Sequence, residues 1–146
     1  MKKLVVGLLV SVLVACASNT LPPRNITKNL HTLGGGFVFS SKGGIYYAMT
    51  YVAGSELNTP VYVIATFENP ADKAAPLVID LGIIDFATQQ QLKSPEFSAI
   101  ENDRNYQVTV DLHQSAAQSE LIESHSDEVR FSINEEMAKQ FGLTLL

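Results

Sequence analysis

The sequence predicts an all-β domain, an antiparallel β-sandwich with one short C-terminal helix. Three observations predict it. Apolar and β-branched residues recur with a period of two from Phe37 onward, Gly, Pro, Asn and Asp divide them into short runs, and only one stretch carries helix caps. The chain has 146 residues, 46% hydrophobic and 17% charged, which suits a single core and excludes wholesale disorder. Its formal charge of −5 offers no basic face for phosphates, so nucleic acid is not an expected partner.

The elements follow in order. Gly34-Gly35-Gly36 reads as a hinge or strand entrance and not as a phosphate loop, because no Gly-Lys-Ser/Thr follows. In the run Ile45 to Val52, residues Ile45, Tyr47, Met49 and Tyr51 share one face, as in a central strand. Val61 to Phe67 is the strongest strand, with Val61, Val63, Ala65 and Phe67 facing one way, and Asn69-Pro70 ends it. Leu77 to Leu81 and Ile83 to Phe86 are shorter runs divided by Gly82, a bulge or turn. Glu96 to Ile100 and Tyr106 to Leu112 flank the polar segment 101–105 and read as a hairpin. Tyr106, Val108, Val110 and Leu112 alternate with polar residues, the half-buried pattern, and Glu128 to Ile133 repeats it. Residues 115–124 fit a loop or a weak strand.

The helix follows Asn134, a good cap, with Glu135 and Glu136 at its positive end and Gly142 placed to stop it. Roughly seven or eight strands with turns every eight to twelve residues suit an immunoglobulin-like sandwich. A transthyretin-like arrangement or a small barrel fits the same pattern.

The N-terminus carries the most specific motif. Lys2 and Lys3 precede a twelve-residue apolar stretch, Leu4 to Ala15, shorter than the ~20 helical residues that span a bilayer. A basic head and a short apolar body ending in small residues make a signal peptide. Leu13-Val14-Ala15-Cys16 resembles the lipobox of bacterial lipoproteins. The resemblance implies a diacylglycerol thioether on Cys16, cleavage before it, and acylation of the freed amine with palmitate-type chains. Two or three chains anchor firmly where one is marginal. Position 17 is Ala rather than the Asp that marks inner-membrane retention in this class. That implies the outer membrane, facing the periplasm, in a Gram-negative cell.

The expected organisation is therefore a signal peptide over 1–15, a lipidated tether over 16–33 and a periplasmic β-sandwich over 34–146. Seventeen tether residues after Cys16 would reach at most ~60 Å at about 3.5 Å each. Loss of Lys2 and Lys3 leaves eight basic against fifteen acidic side chains, a formal −7.

Chemistry is less legible. Cys16 is the only cysteine, which excludes a disulfide framework and a multi-cysteine zinc site. No two of His31, His113 and His125 have helical metal-site spacing. His113 and His125 read as exposed strand-end residues, the alternative being a site shared with Asp111 or Glu123 across neighbouring strands. No serine lies in a Gly-x-Ser-x-Gly elbow. The carboxylate pairs Asp80/Asp85 and Glu101/Asp103 sit where turns are expected, and turn carboxylates ordinarily serve solvation and local hydrogen bonds. No catalytic residue, metal or cofactor is expected.

Two surfaces are candidates for binding. Tyr46, Tyr47, Tyr51 and Tyr62 read as sandwich core and rim, or as a binding face that pairs apolar area with polar tips. Glu120, Glu123, Asp127, Glu128, Glu135 and Glu136, offset only by Arg130, read as a solvated face or as an acidic docking surface for a basic partner. The expected role is a non-enzymatic envelope lipoprotein acting through protein contacts, accessory to an assembly or transport system. The alternative is an inhibitor or immunity-type module directed against a basic envelope-attacking hydrolase.

Overall fold

The computed structural model describes residues 25–114 and 120–146. Its strands are β1 (Leu30–Ser40), β2 (Gly44–Ala53), β3 (Val61–Phe67), β4 (Leu77–Ile84), β5 (Gln90–Lys93), β6 (Ala99–Ile100), β7 (Arg104–His113), β8 (Leu121–Phe131) and β9 (Thr144–Leu145), with helix α1 (Glu135–Gln140) before β9. One antiparallel sheet has the order β1-β2-β5 and the other β4-β3-β7-β8, while β6 and β9 form a short parallel pair.

The period-two pattern decides what lies between the sheets. Ile45, Tyr47, Met49 and Tyr51 of β2 are all buried, as are Val61, Val63, Ala65 and Phe67 of β3 and Tyr106, Val108, Val110 and Leu112 of β7. At one end of this core Phe37 meets Tyr47, Tyr106 and Phe131 with ring centroids 4.6, 5.7 and 5.1 Å apart. The contacts with Tyr106 and Phe131 are edge-to-face, which adds to the area these rings bury.

Three expectations about the chain's course need correction. The glycine run is neither hinge nor entrance but the middle of β1, and residues 25–33, expected in the tether, belong to the fold. Thr32 N donates to Asn25 O at 3.0 Å, and Gly54 N to Asn29 O at 2.8 Å. Gly35 lies opposite Met49, where a Cβ would come 2.8 Å from Ala48 O, so the strand needs close approach rather than flexibility.

Residues 96–100 and 106–112 do not form a hairpin. The Tyr106 hydroxyl donates to Glu101 O and accepts from Glu101 N, both at 2.9 Å. This tyrosine corner, of the kind seen in immunoglobulin-like sandwiches, carries the chain into β7 between β3 and β8, and β6 pairs with β9 instead. Of the two readings open for 115–124, strand holds from Leu121, where β8 begins, while 115–119 lie outside the described residues.

Gly82 does mark a bulge. The β3–β4 register shifts as Val63 pairs with Gly82 and Ile64 with Asp80, and Gly82 takes φ +68°. The helix is capped as expected, Asn134 Oδ1 accepting from Met137 N at 2.8 Å and Gly142 turning the chain at φ +67°. Its Phe141 stacks on Phe39 at 4.2 Å.

Two glycines separate sterics from backbone strain. At Gly82 the space for a Cβ is open, so Gly82→Ala costs only the left-handed conformation, about 1 kcal/mol. At Gly54 a Cβ would lie 2.3 Å from Lys28 O, against backbone that cannot turn aside. Gly54→Ala is expected to cost about 3 kcal/mol. Urea denaturation of the full chain in detergent checks the order of the two.

Candidate functional site

β8 continues its inward face beyond the core. Phe131 and Val129 are apolar and buried, but the next residues of the same parity are Asp127, His125 and Glu123. Asp127 is 8% exposed and His125 is completely buried. The two strands that these side chains join, β1 and β8, belong to different sheets.

Asp127 recovers its lost hydration from two hydroxyls. Thr32 Oγ1 on β1 lies 2.9 Å from both carboxylate oxygens, and Tyr51 on β2 donates to Oδ2 at 3.0 Å. Bonds to a buried carboxylate are charge-assisted and are the stronger kind. Thr32 has one proton and gives it to Asp127. His125 Nε2, 2.7 Å from the same oxygen, must therefore be the donor. Nδ1 faces Thr27 Oγ1 at 3.2 Å, and Glu123 Oε1 at 3.8 Å. Glu123 accepts from Thr27 and from Asn29 Nδ2, the latter at 2.8 Å, and Asn25 donates to Ser126 O. The segment Asn25–Thr32 is thus fastened to β8 at the inward side chains of Glu123, His125 and Asp127 and at the Ser126 carbonyl. With no exposure at His125, this arrangement serves as a clasp between sheets.

Burial raises the Tyr51 phenol well above its ordinary range, and the Asp127 carboxylate raises it further. Burial and then Glu68 do the same for Tyr47, whose hydroxyl donates to Glu68 O at 2.8 Å.

The sequence-predicted candidates are distributed as follows. Cys16 and the residues Leu13, Val14 and Ala15 lie outside the described residues. The four tyrosines do not share a face, because 46 and 47 differ in parity and 62 belongs to the other sheet. Tyr47 and Tyr51 are core, with no exposed surface. Tyr46 lies outward on β2, its ring 5.8 Å from Lys93 Nζ. Tyr62 lies on the outer face of β3, and its hydroxyl donates to Asp80 of β4.

The acidic six do not share a surface either. Asp127 and Glu123 turn into the clasp, whereas Glu120, Glu128, Glu135 and Glu136 are exposed. Only these four are left of the six residues expected to form an acidic docking face. His125 is not an exposed strand end, and it does lie beside Glu123. His113 sits apart on the outer face of β7, opposite Tyr62. Among the described residues no group of three or more His, Cys, Asp or Glu side chains is placed to hold a metal ion.

No family model, curated protein or solved structure matches the chain. Its function must be argued from its own residues.

The turn carboxylates make local bonds. Asp85 Oδ1 accepts from Ala87 N at 2.9 Å, Asp103 Oδ1 from Ser132 at 2.6 Å, and Glu101 takes Arg104 at 3.2 Å. Asp80 differs, because it stands on a strand. Its Oδ1 accepts from Gly82 N at 3.0 Å across the bulge, and its Oδ2 accepts from Tyr62. Around it on the outer face, Val78 and Ile83 are 60% and 56% exposed. This strip on β4 is the open candidate surface, and the clasp is the closed one. Sequence reasoning missed the clasp although the signal was present: parity, counted back from Phe131 and Val129, puts Asp127, His125 and Glu123 inward.

Two outcomes test the clasp. Thr32→Val removes a donor from the buried Asp127 and is expected to destabilise the chain by about 2 kcal/mol. Combined with Tyr51→Phe, the two costs should be non-additive in a double-mutant cycle of urea denaturation. The second outcome concerns alkaline pH. A phenol whose pKa is raised on folding stays protonated in the folded chain while the unfolded chain ionises. Its contribution is full below pH ~10 and falls as pH rises beyond it, by about 1.4 kcal/mol per pH unit. Tyr51→Phe should lessen the slope of stability above that pH by about this amount, measured by denaturation at stepped alkaline pH.

Proposed function

We propose that the chain is a lipid-anchored envelope protein that acts through protein contacts, as an accessory to an envelope assembly or transport system. The observation that carries this reading is Leu13-Val14-Ala15-Cys16, placed at the end of a basic-headed apolar stretch too short to span a bilayer. Cys16 is also the only thiol in the chain. The β-sandwich supports a contact role because it presents strand surface with exposed aliphatic side chains, Val78 and Ile83, beside a fixed carboxylate.

The fold that begins by Asn25 shortens the tether. Eight residues, 17–24, separate Cys16 from the first described residue, a reach of at most ~28 Å at about 3.5 Å each. On this reading the domain works close to the membrane surface. Ala17, standing where an Asp would mark inner-membrane retention, supports the outer membrane in a Gram-negative cell.

Expression in Gram-negative cells with an alkyne-bearing palmitate analogue tests the reading. The chain is expected to be labelled and to fractionate with the outer membrane. Cys16→Ser should be unlabelled and keep its leader, and Ala17→Asp should move the labelled protein to the inner membrane. Labelling that survives in Cys16→Ser overturns the proposal.

A further inference from the structure

The sandwich has four outermost strands, and three of them are guarded. β1 and β8 face each other through the clasp. β5 is four residues long and carries two glutamines and Lys93. β4 is the least guarded. It is eight residues long, six of them aliphatic, and contains no Lys, Arg or Pro. Among the described residues its only strand neighbour is β3. Its guards are the Gly82 bulge at one end and the single charge of Asp80, and the apolar run 77–79 beside them offers backbone donors and acceptors to an extended chain.

The side chains on β4 state what that chain must carry. Val78, Asp80 and Ile83 occupy its outer face, beside Thr66, Ile64 and Tyr62 of β3. On the inner side Leu77, Ile79, Leu81 and Ile84 are only partly covered, because the sheet stops there. Asp80 is the single charge on the strand, and both its oxygens are already oriented, by Gly82 N and by Tyr62. A carboxylate fixed in place loses little freedom on meeting a cation. A second copy of β4 fits poorly in the antiparallel register of greatest overlap, which is centred near Asp80 and brings the two carboxylates close, where like charges repel.

We propose that β4 is a docking edge, which takes an extended segment of a partner protein by strand addition, with a Lys or Arg opposite Asp80 flanked by apolar residues opposite Val78 and Ile83. Backbone pairing supplies the affinity and the alternating side chains the selectivity. This deepens the contact role proposed above and rests on it. The test does not involve Cys16, so failed lipidation and failed docking are distinguishable.

The probes are ten-residue synthetic peptides of alternating Thr and Val with one central Lys, or with Glu in its place. A third peptide keeps the Lys but is N-methylated at alternate residues. Hydrogen exchange and binding are measured on the full chain in detergent. The Lys peptide is expected to slow exchange across 77–84 and to bind roughly tenfold tighter than the Glu peptide. The N-methylated peptide should not bind. Asp80→Lys should reverse the Lys/Glu preference, and Asp80→Asn, which keeps an acceptor for Gly82 N, should erase it while the fold persists. Absent protection at 77–84, equal binding of the Lys and Glu peptides, or binding of the N-methylated peptide overturns the proposal. So does protection of 77–84 that rises with protein concentration without peptide, since that assigns the edge to a second copy.

Discussion

A carboxylate held at 8% exposure must replace the water it has lost, and Asp127 does so from two strands of the opposite sheet. Thr32 on β1 and Tyr51 on β2 both aim hydroxyls at it, and the Thr32 oxygen in turn accepts from His125. Breaking any one of these bonds leaves a buried charge short of a donor, which costs more than the bond itself would suggest. The two sheets are therefore fixed along this side by polar groups that must all be satisfied together. Apolar packing alone tolerates small slides between sheets. A buried carboxylate held by donors from two strands does not.

The consequence is an asymmetric sandwich. Along one side β1 and β8 are joined by side chains, and each blunts the other's edge. On the opposite side nothing comparable covers β4 among the described residues. The two aspartates express the difference. Asp127 is enclosed and spends its charge on internal donors. Asp80 accepts from Gly82 N and Tyr62 but stands between two side chains that are more than half exposed. The same functional group is a fastening in one place and an open acceptor in the other, and burial decides which.

Much of the fold was legible because strand parity is a local signal. The inward sets of β2, β3 and β7 follow directly from alternation, and the Asn134 cap and the Gly82 bulge from residue chemistry at single positions. The pairing of strands was not local. The segment 101–105 has turn composition whether the flanking strands pair or part, and only the Tyr106 hydroxyl, bonded to Glu101 on both its sides, shows that they part. The glycines 34–36 misled for a related reason. Composition reads glycine as freedom, whereas β1 uses Gly35 for the absence of a Cβ against Ala48 O. The clasp was missed because acidic residues were weighed by composition rather than by parity. Alternation alone sends Asp127 and His125 inward, but only the opposing Thr27, Thr32 and Tyr51 make that burial affordable, and those lie some 70 to 100 positions earlier in the chain.

The clasp also bears on how an anchored domain would present its open edge. On the proposed reading the lipid lies upstream of Asn25, so the membrane-linked chain enters the fold where Asn25, Thr27 and Asn29 are fastened to β8. In the order β4-β3-β7-β8, the strand that receives the tether and the strand with the free edge are at opposite ends of one sheet. At about 4.8 Å per strand they are separated by about 14 Å, before side chains are counted. A segment adding to β4 therefore extends the sheet away from the point of attachment and need not displace the clasp. Pull on the proposed tether would meet the Asn25–Ser126 bond and then the charge-assisted bonds of Glu123 and Asp127, at the end of the sheet remote from β4. On the two proposals together, anchoring and docking would be mechanically separate.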